Sequence, residues 1–272
     1  MDRNLKIGIV GLGLIGGSIF KALCALMCNV FGVSYSNSTI KKAKKYCKNV
    51  SKSLQSLKEC DIIFVCSHMN KTVEVLDKLE EILPPEAIVV DVCSLKAFLC
   101  NKKRKFVYIP SHPMAGTEFS GFENSFETLF QKAKWVLTPF KDTQESDITK
   151  VTQVIETLGA EVVFATPEEH DEAVALISHM PMVVAQAIFK SAENNSLAMK
   201  LASSGFRDAT RLALSNIEMA QDMVELNSAN IQKALLKVYS SVGELLGQNY
   251  SSQAFEIKKQ RSAMYVDGVN IL

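Results

Sequence analysis

A short apolar segment followed at once by a glycine-rich turn opens this chain, and it restricts the possible fold more than any other feature. Residues 6–10 read Lys-Ile-Gly-Ile-Val, which is typical of a buried strand. A helical stretch is predicted over about 14–27. The turn between them matches G-x-G-x-x-G and consists of Gly11, Leu12, Gly13, Leu14, Ile15 and Gly16. Such a pattern is weak by itself, but between a strand and a helix it indicates a dinucleotide-binding fold.

Each glycine of this turn has its own physical reason. Gly11 permits the tight turn, Gly13 lets a pyrophosphate approach the backbone, and Gly16 lets helix and strand pack closely. The phosphates then meet free N–H groups at the positive end of the helix dipole. We therefore predict that residues 11–16 bind a dinucleotide. A chance glycine turn is the alternative.

Apolar runs and helical patterns alternate along the first part of the chain. Further strands are predicted at 30–33, 61–66, 87–92, 106–109, 135–138 and 161–164, with helices over about 38–46, 71–83 and 148–158. This alternation is typical of a parallel sheet covered by helices on both faces. After Pro167 apolar residues recur at helical spacing to about Lys259 without a clear strand. We predict an α/β protein with a Rossmann-type, mostly parallel domain over 1–166 and an all-helical domain over 167–272.

Composition excludes several classes of function. With 30 Lys+Arg, 29 Asp+Glu and 47% hydrophobic residues, the chain is neither disordered nor basic enough to bind nucleic acid through bulk charge. The apolar runs are too short to span a bilayer, and the N-terminus leads straight into a strand, unlike a signal peptide. Seven cysteines without a Cys-x-x-Cys pair indicate reduced thiols and no metal site. We expect a cytoplasmic enzyme without nucleic-acid or membrane partners.

The segment after the second strand bears on the choice of cofactor. An NAD-binding chain usually places Asp or Glu there to bind the ribose 2′-OH, but residues 34–39 contain no carboxylate. Nothing in this loop repels a 2′-phosphate, and Lys41 and Lys42 follow, so NADP is favoured and NAD remains possible. A solvated loop of capping residues is the alternative. The side chains expected to contact the cofactor are Ser34, Tyr35, Ser36, Thr39 and, after the strand 61–66, Ser67.

One of the four histidines stands out by its surroundings. His112 follows a predicted strand and lies between prolines at 110 and 113, which fix the backbone. A neutral imidazole near pH 7 is the usual general base. Without further context, a single loop histidine is more often structural.

Five separated segments supply that context. They read GLGLIGGS at 11–18, DVCSLK at 91–96, SHPMAGTE at 111–118, ISHMP at 177–181 and GFRDATR at 205–211. Together, and in this order, they resemble the prephenate/arogenate dehydrogenase family of tyrosine biosynthesis. The resemblance implies a nucleotide-binding domain, a helical domain that forms a homodimer, and a small-molecule substrate. It also implies oxidation of a cyclohexadienol, which loses a hydride and CO₂ and becomes aromatic.

The resemblance further implies roles for individual side chains. His112 matches the catalytic base, Ser94 the hydroxyl that orients this base and the substrate hydroxyl, and Arg211 the arginine that binds a substrate carboxylate. The other substrate-side candidates are Thr117, Glu118, His179 and Arg207. Structural alternatives remain: Arg207, Asp208 and Arg211 could form a surface ion network on a helix, and His179 could be a core histidine.

One departure from the family pattern concerns the substrate. Many prephenate-using members carry a second histidine three residues after the one that matches His179, whereas this chain has Met182. With the acid-free loop, this favours arogenate and NADP. Two other readings remain open: a β-hydroxyacid or imine reductase of the same plan, and a dinucleotide-sensing dimeric interaction protein without catalysis.

Overall fold

Six parallel strands form the main sheet of the computed structural model, which describes residues 4–117, 119–266 and 269–270. The strands are β1 (Lys6–Val10), β2 (Asn29–Val33), β3 (Val50–Ser51), β4 (Ile62–Val65), β5 (Ile88–Asp91) and β6 (Val107–Tyr108). They lie in the order β3-β2-β1-β4-β5-β6. The order reverses between β1 and β4, and ligands of open α/β sheets bind beyond the carboxyl ends of the strands at such a point. The Rossmann-type prediction is confirmed.

Helices cover both faces of this sheet. They are α1 (Leu14–Ala25), α2 (Asn37–Ala43), α3 (Met69–Glu80) and α4 (Glu145–Thr157). Strand β4 is buried along its whole length, with Ile62 and Phe64 packing in one apolar layer and Ile63 and Val65 in the other. Burial on both faces explains why this strand is a continuous apolar run instead of an alternating one.

A second sheet of three strands lies after the main one. It contains β7 (Ser111–Pro113), β8 (Lys134–Leu137) and β9 (Glu161–Phe164). Strand β7 runs antiparallel to β8, and His112 pairs with Val136. From the sequence we expected His112 to be a loop residue, but the structure places it on a strand. Three residues that include a proline carry too little alternation to be recognised as a strand.

The chain after Thr166 is helical, as predicted, apart from a short terminal hairpin. The helices are α5 (Pro167–Val174), α6 (Met180–Ala192), α7 (Ser196–Leu201), α8 (Ser204–Ala209), α9 (Ile217–Leu226), α10 (Ser228–Leu246) and α11 (Tyr250–Met264). The hairpin pairs β10 (Tyr265–Val266) with β11 (Val269–Asn270). Thr166 starts α5 with a capping box, since its hydroxyl accepts from the Glu169 N–H and the Glu169 carboxylate accepts from the Thr166 N–H.

One helical stretch corrects an expectation about length. A π-helical turn, Ala175–His179, joins α5 and α6, so that Pro167–Ala192 forms 26 continuous helical residues. By length and composition alone this stretch is apolar enough to cross a membrane. The sequence pattern hid it because its first turns carry four acidic residues. A core helix of a globular protein passes the same test, and a third of the most apolar window is buried inside the chain.

Candidate active site

The glycine turn lies at the carboxyl end of β1, where it touches the end of β4. Gly11 has a φ of +88°, and a Cβ there would lie 2.5 Å from the carbonyl oxygen of Cys66. A Cβ on Gly16 would lie 2.0 Å from the carbonyl oxygen of Gly11. By contrast, no heavy atom of the described residues lies within 4 Å of a Cβ placed on Gly13. Two glycines therefore make the turn possible, and the third leaves open space in front of it.

The start of α1 has the features of an anion site. Its N-cap is Gly13, which provides no side-chain hydrogen bond, so no side chain of the described region caps the first turn. The backbone N–H groups of that turn are available to an anion and are reinforced by the helix dipole. Open space at Gly13 and uncapped N–H groups together fit the pyrophosphate of a dinucleotide.

The loop after β2 contains a helix cap and also the side chains predicted to contact the cofactor. Ser36 caps α2 by accepting a hydrogen bond from the Thr39 N–H at 3.3 Å, so the helix begins at Asn37, one residue before the predicted start at 38. Ser34 is buried and accepts from the Ser36 N–H, whereas Tyr35 is exposed. On the same helix, Lys42 forms an ion pair with Glu123 at 2.9 Å. This carboxylate comes from far along the chain and could not be found by reading the loop alone.

Ser67, the remaining predicted cofactor contact, follows β4. Its hydroxyl lies 3.0 Å from the Thr72 hydroxyl of α3, and the residue is half-buried. Its position beyond the end of β4 places it at the same edge of the sheet as the glycine turn.

A buried ion pair supports the floor of the site. The ammonium group of Lys96 is fully buried and pairs with Asp91 at the end of β5. Lys96 also donates to the carbonyl oxygen of Ser111, while Asp91 accepts from the Tyr108 hydroxyl at 2.9 Å and from the Ser111 N–H at 3.2 Å. These bonds fix the first residue of β7 against β5, so the backbone before His112 is held from both sides.

His112 is bonded to another histidine. Its Nδ1 lies 2.9 Å from Nε2 of His170, and Nδ1 of His170 lies 2.8 Å from Oδ1 of Asp171. The Asp171 carboxylate also accepts from the backbone N–H groups of Lys96 at 2.8 Å and Ala97 at 2.9 Å. Burial lowers the pKa of His112 well below 6.5, and electrostatic interactions with His170, Lys96 and His179 lower this pKa further. His112 is therefore a neutral imidazole at neutral pH.

His179 lies deep in the same region, at the end of the π-helical turn. It is 1% exposed, and Asn227 donates to its Nδ1 at 3.1 Å and to the carbonyl oxygen of Asp171 at 2.9 Å. Its Nε2 has no hydrogen-bond partner within the part of the chain that the structure describes. Burial lowers the pKa of His179 to about 4. An unpaired buried N–H costs free energy unless a ligand completes it, so a substrate-side role for His179 stays a prediction.

The other predicted catalytic residue, Ser94, is not hydrogen-bonded to His112 in the described part of the chain. It lies half-buried in the bend after β5, and Nδ1 of His112 is taken by His170. The expectation that Ser94 orients the imidazole therefore stays a prediction. A contact between Ser94 and the substrate hydroxyl stays a prediction.

The remaining substrate-side candidates lie at the surface of the single chain. Thr117 is exposed, and its hydroxyl accepts from the Phe119 N–H. Glu118 lies outside the described residues. Arg207 pairs with its neighbour Asp208 at 3.1 Å, and both are exposed. Arg211 is exposed on a 3₁₀ turn that packs on α6, and in the described region it forms no ion pair with Asp208.

Three residues in the centre of this site, His170, Asp171 and Asn227, were not predicted from the sequence. His112 and His170 are 58 residues apart, and no local spacing relates them. The available signal was the dipeptide His170–Asp171 in the first turns of a strongly capped helix.

These features define a class of protein: a dinucleotide-binding domain joined to a helical part, with a half-buried, neutral histidine where they meet. Comparison with protein families identifies the class more narrowly. Residues 23–164 match the nucleotide-binding domain of prephenate dehydrogenase, and residues 166–255 match its dimerization domain. The chain belongs to the prephenate dehydrogenase family, which confirms the resemblance and the dehydrogenase class inferred from the five segments.

Individual relatives agree with this assignment. The chain is 33% identical to arogenate dehydrogenase of Synechocystis, with a TM-score of 0.80 and coverage of 96% of this chain and 97% of the other. Prephenate dehydrogenase of A. aeolicus, solved with hydroxyphenyl propionate and NAD+, is 29% identical, with a TM-score of 0.86 and coverage of 96% and 98%. Cyclohexadienyl dehydrogenase of Zymomonas mobilis is 28% identical, with 96% of each chain covered.

The different surroundings of Gly13 and Gly16 lead to a test of the glycine turn. Gly16→Ala should lower the free energy of unfolding by about 1–3 kcal/mol or more, because the new Cβ overlaps a backbone oxygen that cannot move freely. Gly13→Ala should leave stability nearly unchanged, because the new methyl group meets no other atom of the described residues. It should weaken dinucleotide binding, because the methyl group occupies the open space that we assign to the pyrophosphate. Thermal unfolding and fluorescence titration with NADPH and NADH measure both effects. Tight cofactor binding by a folded Gly13→Ala protein would contradict this role of Gly13.

Proposed function

We propose that this protein catalyses the NAD(P)-dependent oxidative decarboxylation of prephenate or arogenate, giving 4-hydroxyphenylpyruvate or tyrosine, with His112 as the base. The observation that carries this proposal is the half-buried, neutral His112 held at the carboxyl edge of a dinucleotide-binding sheet. Family membership over both halves of the chain supports it. We place the boundary between the cofactor domain, 1–166, and the substrate and dimerisation domain, 167–272, at the capping box of α5, and the enzyme in the cytoplasm.

The glycine turn and the loop after β2 would hold the cofactor. Residues 11–16 would bind the pyrophosphate, while the segment 34–39 and Ser67 would face the adenosine ribose and the nicotinamide half. When bound there, the nicotinamide accepts the hydride that leaves the ring carbon carrying the hydroxyl. We favour NADP because the loop after β2 contains no carboxylate to repel a 2′-phosphate.

His112 would hold and return one proton during the reaction. With Nδ1 engaged by His170, its Nε2 is the nitrogen left for the substrate hydroxyl. The hydroxyl proton moves to Nε2 as the hydride departs and the C–O bond becomes a carbonyl. Loss of CO₂ then leaves its electron pair to the ring, which becomes a phenolate and takes the proton back. No net proton is consumed, so the base is regenerated in each turnover.

The substrate carboxylates would be bound from the helical part. Arg211 offers a planar guanidinium for one of them, and Arg207, Thr117, Glu118 and His179 would line the rest of the site, with Ser94 at the substrate hydroxyl. We propose arogenate as the preferred substrate. Met182 is buried in α6 and offers no polar group to a side-chain carbonyl, and the Synechocystis relative is an arogenate dehydrogenase.

A homodimer through the helical domain is part of the proposal. Helices α9 to α11 expose large apolar side chains, among them Tyr239, Leu246 and Phe255, and residues 166–255 match a dimerization domain. Apolar patches of this kind on a single chain mark a protein interface. A second copy of the chain would cover them.

A steady-state comparison of prephenate and arogenate, each with NAD and NADP, tests the proposed activity. We expect oxidation of at least one substrate. His112→Asn should lower kcat by roughly 10²–10⁴-fold while cofactor affinity is retained, because Asn preserves one hydrogen bond but cannot accept the proton. Since the pKa of His112 lies well below 6.5, wild-type kcat should fall only as the pH drops through the acidic range. Cofactor binding without turnover of either substrate would favour a dinucleotide-sensing protein instead.

The preference for NADP is tested by Ser34→Asp. Because Ser34 accepts the Ser36 N–H, Asp can preserve this bond while adding a charge that repels a 2′-phosphate and accepts a ribose hydroxyl. We expect wild-type kcat/KM with NADP to be at least equal to that with NAD, and the variant to prefer NAD. A strong wild-type preference for NAD would contradict this part of the proposal.

The role of Arg211 is tested by comparing its substitution with that of Arg207. Arg211→Ala should raise substrate KM by roughly 30-fold or more, as expected for the loss of a charge contact worth about 2–5 kcal/mol, with cofactor affinity unchanged. Arg211→Lys should retain only part of the substrate affinity, because lysine lacks the planar guanidinium that binds a carboxylate through two hydrogen bonds. Arg207→Ala, which breaks an exposed pair with Asp208, is the matched variant and should have a smaller effect. Wild-type KM in Arg211→Ala would show that another group binds the carboxylate.

A further inference from the structure

We propose that His170 and Asp171 act as positioning residues that fix the tautomer of His112 and take over the charge of the proton that His112 accepts. This inference rests on the proposed function of His112 as the base. The observation behind it is a chain of hydrogen bonds, from Nδ1 of His112 to Nε2 of His170 at 2.9 Å, and from Nδ1 of His170 to Oδ1 of Asp171 at 2.8 Å.

The direction of these bonds follows from the Asp171 end. One carboxylate oxygen accepts from the Lys96 N–H and the other from the Ala97 N–H, so both oxygens act as acceptors. Nδ1 of His170 must then carry a hydrogen to bond Oδ1, and an imidazole whose single hydrogen is on Nδ1 offers only a lone pair at Nε2. His112 must therefore donate from Nδ1. Its Nε2 is left unprotonated, which is the form that a base needs.

The same chain provides a place for the accepted proton. When Nε2 of His112 takes the hydroxyl proton, the hydrogen on Nδ1 can pass to Nε2 of His170. The positive charge then lies beside the Asp171 carboxylate instead of on His112. Every transfer returns in reverse when the phenolate is reprotonated, so no other reactant is required.

The groups that face His112 favour this shift of charge. Besides His170 and Asp171 from α5, they are Lys96 after β5, which is paired with Asp91, and His179 of the π-helical turn. Burial and the positive charge of Lys96 oppose a charge on His112 itself and lower its pKa. His170 is the member of the pair that touches a carboxylate.

Asp171 is held on three sides, as a positioning residue requires. Its carboxylate is bonded to the 3₁₀ turn after Lys96, its carbonyl oxygen accepts from Asn227, and its helix begins at the Thr166 capping box. His170 and Asp171 are both buried. The base on β7 is thereby aligned by a helix of the second part of the chain.

Two substitutions separate the two parts of this role. In Asp171→Asn the amide NH₂ must face either His170 or a backbone N–H, which removes the reason for His170 to carry its hydrogen on Nδ1. We expect the tautomers of His170 and His112 to invert, and kcat to fall about 10²-fold or more with KM and cofactor affinity nearly unchanged. In His170→Gln the amide oxygen can still accept from His112 but cannot take up a proton. We expect the His112 tautomer to be retained, kcat to fall about 10-fold, and the acidic limb of the kcat–pH profile to move to lower pH.

The matched control is Glu172→Gln, which removes the same charge one residue further along α5. Glu172 is exposed, and its ion pair with Lys237 spans 3.6 Å, so kcat and the pH profile should stay at wild-type values. A merely structural role of Asp171 would lower thermal stability without inverting a histidine tautomer. ¹⁵N spectra of histidine-labelled protein measure the tautomers, and the signals that are absent from the spectrum of His112→Asn identify His112.

The outcomes are distinct. An unchanged His112 tautomer together with near-normal kcat in folded Asp171→Asn would overturn the proposal. If Asp171→Asn does not fold, the test rests on His170→Gln. A wild-type kcat and an unchanged acidic limb of the pH profile in His170→Gln would also overturn the proposal. Failure of the wild-type protein to oxidise either substrate would count against the proposed function. The tautomer spectra need no substrate, so they would still test whether Asp171 and His170 fix the tautomer of His112.

Discussion

The buried pair between Lys96 and Asp91 is the interaction on which the arrangement of the site depends. Removing two charges from water costs several kcal/mol per ion, and only good geometry with further hydrogen bonds offsets this cost. Here the Asp91 carboxylate also accepts from Tyr108, Ser111 and the Cys93 N–H. Since most of these donors come from segments other than β5, the charge is satisfied only when the segments after β5 and β6 fold back against it. The pair therefore specifies one path for the chain that leads to His112.

This path also explains why the main sheet ends at β6. After Tyr108 the chain does not add a seventh parallel strand; Ser111 turns toward Asp91 and Trp135, whose indole N–H donates to the Ser111 hydroxyl at 2.9 Å. Strand β7 then pairs antiparallel with β8 and begins a new sheet. The proposed base is thus placed beyond the carboxyl ends of the parallel strands, beside the edge of the sheet that carries the glycine turn.

The sequence was most informative where the physical requirement is local. The strand–glycine–helix order of residues 6–25 and the apolar run of β4 predicted the sheet, because a buried parallel strand needs no partner pattern to be recognised. The capping role of Ser36 and the strand around His112 were missed, since both depend on one or two bonds within very short elements. His170 as the partner of His112 could not be found in this way, because only the fold brings α5 against β7.

Three histidines share one region with a single well-bonded carboxylate, and this has a consequence for how the two parts of the chain cooperate. The pKa values of His112 and His179 are lowered by burial, so both are neutral at neutral pH and neither repels a cationic neighbour. The carboxylate of Asp171 is fixed by backbone N–H groups of the first part and by its own helix in the second. Any rotation of the helical part away from the sheet would break these bonds together with the bond between His112 and His170. The proposed base is therefore correctly oriented only when both parts are docked. The same contact would bring the helices proposed to bind the substrate carboxylates over the edge of the sheet that carries the glycine turn.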